Sequence, residues 1–152
     1  MTGFEQLPAV SVTKSLAAAP DAIWKVLSDL GALAEWAPGI DGVEVTSSES
    51  AGVGAVRAVT TAQFGVIVHR FTDWWPGEGF AYETADSGPF SRTLTAYTVE
   101  GAENGGSTVT VRLAFDVKPG AIEVEQAKAV LDKGLTATLQ ALDLRARMGQ
   151  AA

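Results

Sequence analysis

The chain has 152 residues, 47% of them apolar and 19% charged, which is enough for one domain (1–152) with a real core, and no run approaches the about 20 apolar residues of a membrane-spanning helix. Its net charge of −7, from 11 basic and 18 acidic residues, repels polyanions, so neither nucleic acid nor stable membrane insertion is expected. Cysteine is absent and histidine occurs once, which removes disulfides, thiolate chemistry and a protein-built zinc site, so no metal and no cofactor are implied.

The N-terminal segment MTGFEQLPAV lacks the basic start and apolar stretch of a signal peptide, and a cytoplasmic location is expected. Residues 9 to 18 alternate, with Val10, Val12 and Leu16 on one face, which predicts a half-buried strand that Lys14 interrupts. Pro20 and Asp21 start a helix with an Ile23, Trp24, Leu27 stripe, and a second short helix, ALAEW, runs toward Pro38. From Asp41 to Pro119 the pattern is strand and turn, with about six strands separated by Gly52-x-Gly54, Pro76-Gly77, Ser87-Gly88-Pro89 and Asn104-Gly105. The last of them alternates most cleanly, with Val109, Val111, Leu113, Phe115 and Val117 facing one way. Pro119-Gly120 then opens a long helix to about Met148, whose stripe of Val124, Leu131, Leu135, Leu139 and Leu142 needs a large partner surface. The inner face of the sheet is the candidate, so the fold expected is α+β: about seven curved antiparallel strands wrapped around a C-terminal helix.

This order of elements resembles the START-like, or helix-grip (SRPBCC), superfamily over nearly the whole chain. APDAIWKVLSDLGALAEWAPGI, with Asp29 and Trp36 to Pro38, is similar to the opening helices of its polyketide cyclase/dehydrase and lipid-transport branch. GVGAVR and HRFTDWWPGEGFAYET are similar to that branch's Gly-x-x-x-Arg strand and central hairpin, with His69-Arg70 where a Glu-Arg pair is commoner. SGPFSR and FDVKPGA resemble segments of bacterial aromatase/cyclases that fold aromatic polyketides. The resemblance implies a proton-donating role for Arg57 and a pocket-lining one for Trp36. It also exposes departures: Ile67 and Leu113 stand where pocket tryptophans are common.

A cavity between sheet and helix is where a START-like domain binds apolar molecules. The expected partner is therefore an apolar small-molecule ligand or substrate, held by a monomer or homodimer. Arg57 shares a strand face with Val53, Ala55 and Val59; an inward arginine either anchors a ligand oxygen or forms a structural pair. His69, on a face with Ile67 and Phe71, is an acid/base candidate or a hydrogen-bonded core histidine. Tyr82 alternates with Phe80 and offers a hydroxyl to a ligand or to the surface. Arg57, His69 and Tyr82 are thus the catalytic candidates. Trp36, Phe64, Phe71, Phe90, Phe115, Leu131 and Leu135 complete the expected lining together with Arg92, which reads as a ligand anchor or as the partner of Glu83 or Asp86 across a hairpin. Three functions follow: binding of a lipid, isoprenoid or polyketide-like compound; an aromatase/cyclase or dehydratase in which Arg57 stabilises or protonates a carbonyl or enolate oxygen; and a protein-interaction module.

Overall fold

The computed structural model describes residues 6–151. Seven antiparallel strands form one sheet in the order β1-β7-β6-β5-β4-β3-β2, with β1 at Ala9–Leu16, β2 at Ile40–Val45, β3 at Val56–Thr61, β4 at Gly65–Trp75, β5 at Gly79–Ser87, β6 at Phe90–Gly101 and β7 at Ser107–Val117. Helix α1 (Pro20–Ser28) and a 3₁₀ helix (Leu30–Glu35) separate β1 from β2, and α2 (Val124–Ala151) closes the described chain. The expected helix-grip architecture is therefore present. Strands β2 to β7 follow one another as hairpin neighbours. The chain then closes by laying β1 against β7.

Local chemistry explains most of the element bounds. Pro20 begins α1 with Asp21 in its first turn, and Ile23 and Leu27 are the side chains it buries. The long helix starts later than the sequence implied. Gly120 adopts φ +72°, a left-handed conformation that belongs to a turn, and Ala121 N–H closes that turn on Lys118 O at 3.0 Å. Glu123 then accepts the first helical bond, from Ala127 N–H at 2.9 Å. Val124 is consequently exposed rather than part of the stripe, and Ala127, Leu135, Leu139, Leu142 and Ala146 are the buried positions. The helix also continues past Met148 to Ala151.

Register shifts in β2, β4 and β6 break the alternation that a regular strand would keep, and the last two bear on the site. In β4 the register shifts between Phe71 and Asp73, so Phe71 and Trp74 both turn inward, their rings 5.9 Å apart. In β6 the shift falls between Phe90 and Arg92. Phe90 and Thr93 are buried, while Arg92 stands opposite Asp116 on the other face.

The junction between β1 and α1 is tied to the far end of α2. Asp143 Oδ1 accepts Ala18 N–H at 3.0 Å, and Ala18 O accepts the Ser107 hydroxyl at 2.7 Å. Ala18 is fully buried, so its amide has no water to fall back on. Asp143→Ala should destabilise the fold by about 2 kcal/mol in urea unfolding, the cost of orphaning a buried amide, and Asp143→Asn, which keeps an acceptor oxygen, by clearly less. Equal losses would show that the charge, with Arg147 at 3.5 Å, matters more than the acceptor.

Candidate functional site

The space between sheet and α2 is filled at one end and open at the other. Trp24 of α1, Phe71 and Trp74 of β4, Phe80 of β5 and Tyr97 of β6 form a continuous aromatic cluster, with Trp24–Trp74, Phe71–Phe80 and Phe80–Tyr97 centroids 5.3, 5.1 and 5.6 Å apart. Toward the opposite end the helix carries Gly134 and Ala137 in place of large side chains, and a cavity of about 450 Å³ opens there. Its walls are mostly apolar, from Phe64, Phe90, Ile122, Val130, Leu131 and Leu135, with Gln63 and Thr138 as the polar members. A second cavity of about 150 Å³ adjoins it and shares Phe64, Phe90 and Leu131. That inner chamber is polar on its sheet side, where His69, Tyr82, Thr84, Ser87, Thr93 and Thr95 line it. The three shared side chains form the boundary between the two cavities.

Each polar group is placed by strand register. Arg57 of β3 lies directly opposite His69 of β4. Its Nε donates to His69 Nδ1 at 3.0 Å and its NH1 to Leu30 O at 3.3 Å. The guanidinium also lies over the rings of Phe71 and Tyr82, 5.1 and 5.5 Å from their centroids. His69 stacks on Tyr82 with centroids 4.1 Å apart and planes 11° from parallel. The Tyr82 hydroxyl lies within reach of Arg57 and Thr95. The hydroxyls of Thr84 and Thr93 bond at 2.6 Å, and those of Thr84 and Ser87 at 3.3 Å.

Electrostatics in this end are dominated by one charge. Arg57 is 3% exposed, and among the described residues no carboxylate lies within ion-pair distance of it. Burial lowers its pKa, with Tyr82 and Tyr97 opposing, yet a guanidinium stays cationic in proteins. Burial, and then the Arg57 charge, hold the His69 imidazole well below its usual range. Burial pushes the Tyr82 phenol up, while Arg57 and Thr95 pull it the other way.

The expected site residues divide into four groups. His69, Tyr82, Phe64, Phe90, Leu131 and Leu135 line the two cavities. Arg57 stands behind His69 and Tyr82, and Phe71 and Phe115 are buried core beside the site, Phe115 edge-on to Phe90 at 5.4 Å. Trp36 lines a separate groove of about 410 Å³ between α1 and the end of α2, together with Lys25, Arg145 and Met148. Its indole Nε1 is buried with no hydrogen-bond partner among the described residues. Arg92 lies on the outer face, 3.9 Å from Asp116, and Asp86 pairs with Lys118 instead. The bulge moves Arg92 off the Phe90 face and out of the cavity lining, and the ion pairs formed are Arg92 with Asp116 and Asp86 with Lys118 in place of the expected hairpin pair with Glu83 or Asp86.

Sequence reasoning missed Thr84, Ser87, Thr93 and Thr95. The inward alternation of Thr93, Thr95 and Tyr97 was available as a signal, but threonine is common on both faces of strands. Ile67 and Leu113, the two positions without the common tryptophan, both line the inner chamber. Among the described residues, no helix is long and apolar enough to cross a membrane, and no group of three or more His, Asp or Glu side chains is placed to hold a metal ion.

Comparison with known proteins places this geometry in context. A family model described as polyketide cyclase / dehydrase and lipid transport matches residues 8–147. The Zhui aromatase/cyclase from Streptomyces sp. R1128 is similar in fold, with 19% identity, 93% of this chain and 94% of that one covered, and a TM-score of 0.78. A START superfamily protein from Mycobacterium smegmatis has 19% identity over 95% of this chain and 99% of its own, at a TM-score of 0.75. The protein XoxI from Bacillus cereus has 20% identity over 91% and 94%, at 0.78. No curated protein matches the chain.

Proposed function

The chain belongs to the polyketide cyclase/dehydrase and lipid-transport family, and on that premise we propose that it binds an elongated, largely apolar small molecule whose one polar end enters the inner chamber. The observation that carries this reading is that the larger cavity adjoins, across Phe64, Phe90 and Leu131, a smaller one that the polar side chains of His69, Tyr82, Thr84, Ser87, Thr93 and Thr95 line from the sheet. Apolar burial would supply most of the affinity, and the few polar groups would fix orientation. Lipid, isoprenoid and polyketide-like skeletons all have this shape.

Native mass spectrometry of the freshly purified protein, followed by solvent extraction, tests it. A discrete extractable mass of small-molecule size supports the reading. A protein that neither carries such a mass nor takes up N-phenyl-1-naphthylamine, a fluorescent apolar probe, refutes it. Gly134 offers a clean control. It lies mid-helix on the cavity wall, and a Cβ built there meets nothing within 4 Å. Gly134→Phe should weaken binding of the probe roughly tenfold or more, about 1.4 kcal/mol. The variant should lose no stability, because replacing a mid-helix glycine removes a backbone-entropy penalty. Unchanged binding would move the ligand site elsewhere.

A second reading is favoured by Arg57. A buried cation beside a cavity with no carboxylate of its own suits an aromatase/cyclase or dehydratase that steadies a developing enolate or alkoxide. Turnover of a poly-β-ketone by the wild type, lost on altering Arg57 in a protein that still folds, would support it over simple binding.

A further inference from the structure

The contact between Arg57 and His69 carries more chemical information than its length. All five guanidinium N–H groups are donors and none can accept. A hydrogen bond from Arg57 Nε to His69 Nδ1 at 3.0 Å therefore requires a lone pair on Nδ1, which leaves the ring proton on Nε2. The ring is clamped in that setting, with its face stacked on Tyr82 at 4.1 Å. Protonating Nδ1 would point one N–H at another and place two cations together. Nε2 already carries its proton. Neither nitrogen is available to accept one.

His69 is thus neither a proton acceptor nor a charge, although its residue type invites both readings. It lines the inner chamber, and its Nε2 has no hydrogen-bond partner among the described residues. The hydroxyls of Thr84, Ser87 and Thr93 are engaged with one another. What the His69 Nε2–H lacks is an acceptor. The titratable or charged groups packed against the ring are Arg57 from β3 and Tyr82 from β5, with Tyr97 of β6 behind them. None of these is an anion, so the acceptor meets an uncompensated positive field.

We propose that His69 is the group that touches the ligand, as a fixed neutral Nε2–H donor, that Arg57 is a positioning residue acting through it, and that the ligand presents a bare acceptor oxygen there, bound best as the oxyanion of a phenol or enol. This rests on the cavity reading above and adds the class of polar end. It departs from the expectation that Arg57 itself delivers a proton, and it removes His69 as a general base.

The test uses the full chain and two probes, 4-nitrophenol, whose phenolate is read by its visible absorbance, and N-phenyl-1-naphthylamine, which reports the apolar cavity alone. The wild type should bind the phenolate about tenfold more tightly than the phenol, seen as a fall of about one unit in the bound probe's apparent pKa. His69→Gln should keep that preference, because an amide oxygen accepts from Arg57 while its NH₂ donates into the chamber. His69→Phe should lose it and still bind the naphthylamine. Because the chain has a single histidine, its ring nitrogens give one pair of ¹⁵N resonances, and these should report the Nε2–H tautomer unchanged between about pH 5 and 8. A wild type that binds the naphthylamine but ignores nitrophenol, or takes it as the neutral phenol, overturns the proposal alone. So does loss of the preference in His69→Gln, which would assign His69 a proton-carrying role. Failure to bind either probe overturns the cavity reading as well.

Discussion

Arg57→Met should raise the stability of the fold while it removes selectivity for the ligand's polar end. The guanidinium is buried, and its partners are one imidazole nitrogen, one carbonyl and two aromatic faces. None of these returns the Coulomb energy that a carboxylate would. Holding a charge in such a place costs several kcal/mol, and replacing buried ionic groups by apolar ones of similar volume is often neutral or stabilising by about 1–4 kcal/mol. Methionine fills much the same space and makes favourable sulfur contacts with rings such as Phe71 and Tyr82. Against this stand the Leu30 carbonyl, which loses a donor, and the stacking over the two rings. His69 is spared, since its proton can return to Nδ1. The balance is a gain of about 1–2 kcal/mol in urea unfolding at neutral pH. The ¹⁵N signature of His69 should at the same time change from one tautomer to a mixture, and the preference for phenolate should vanish. A variant destabilised by about 2 kcal/mol or more would show instead that the arginine is a structural tie between β3 and the 3₁₀ helix.

That opposition between stability and function also explains which parts of this molecule its sequence announces. Elements held by period alone were legible: the alternation of β7, the proline start of α1, and the leucines of α2 that bury Leu135, Leu139 and Leu142. So was the convergence of Arg57, His69 and Tyr82, because polar residues at inward strand positions have few reasons to be there. What stayed hidden depends on single inserted residues. A bulge changes the facing of everything beyond it, and nothing in Phe90-Ser91-Arg92 or Phe71-Thr72-Asp73 marks the shift. Arg92 therefore reads as an inward neighbour of Phe90 and lies outside. Trp74 comes inward beside Phe71 for the same reason. Trp36 fails differently: its place follows from where the 3₁₀ helix releases the chain, which is tertiary packing and not pattern. The cavity itself is a property of side chains that are missing, Gly134 and Ala137 above and Ile67 and Leu113 below. Absences of bulk have no periodicity.

The same histidine should give the fold an acid sensitivity of its own. In the unfolded chain His69 takes up a proton as pH falls through about 6.5, its ordinary value. In the folded protein its pKa lies well below that, because burial and the Arg57 charge disfavour the cation. Above about pH 6.5 the ring is neutral in both states and its full contribution is present. Below it the unfolded state alone binds the proton, so stability must fall with pH, at a limiting slope of about 1.4 kcal/mol per unit, until the folded pKa is reached. A raised folded pKa would give the opposite sign. Asp86 does not obscure this window, since its hydrogen bond and charge pairing with Lys118 hold its carboxyl below the usual range. Tyr82 and Tyr97 are pushed up and keep their protons throughout. Urea unfolding at pH 7.5 and 5.5 should therefore differ by about 1.4 kcal/mol in the wild type and by close to nothing in His69→Gln. In Arg57→Met the difference should shrink without disappearing, because the smaller of the two causes has been removed and burial, the larger, remains. Equal pH dependence in wild type and His69→Gln would mean that the imidazole protonates as readily inside the fold as outside it, and the Arg57–His69 bond could not then be permanent.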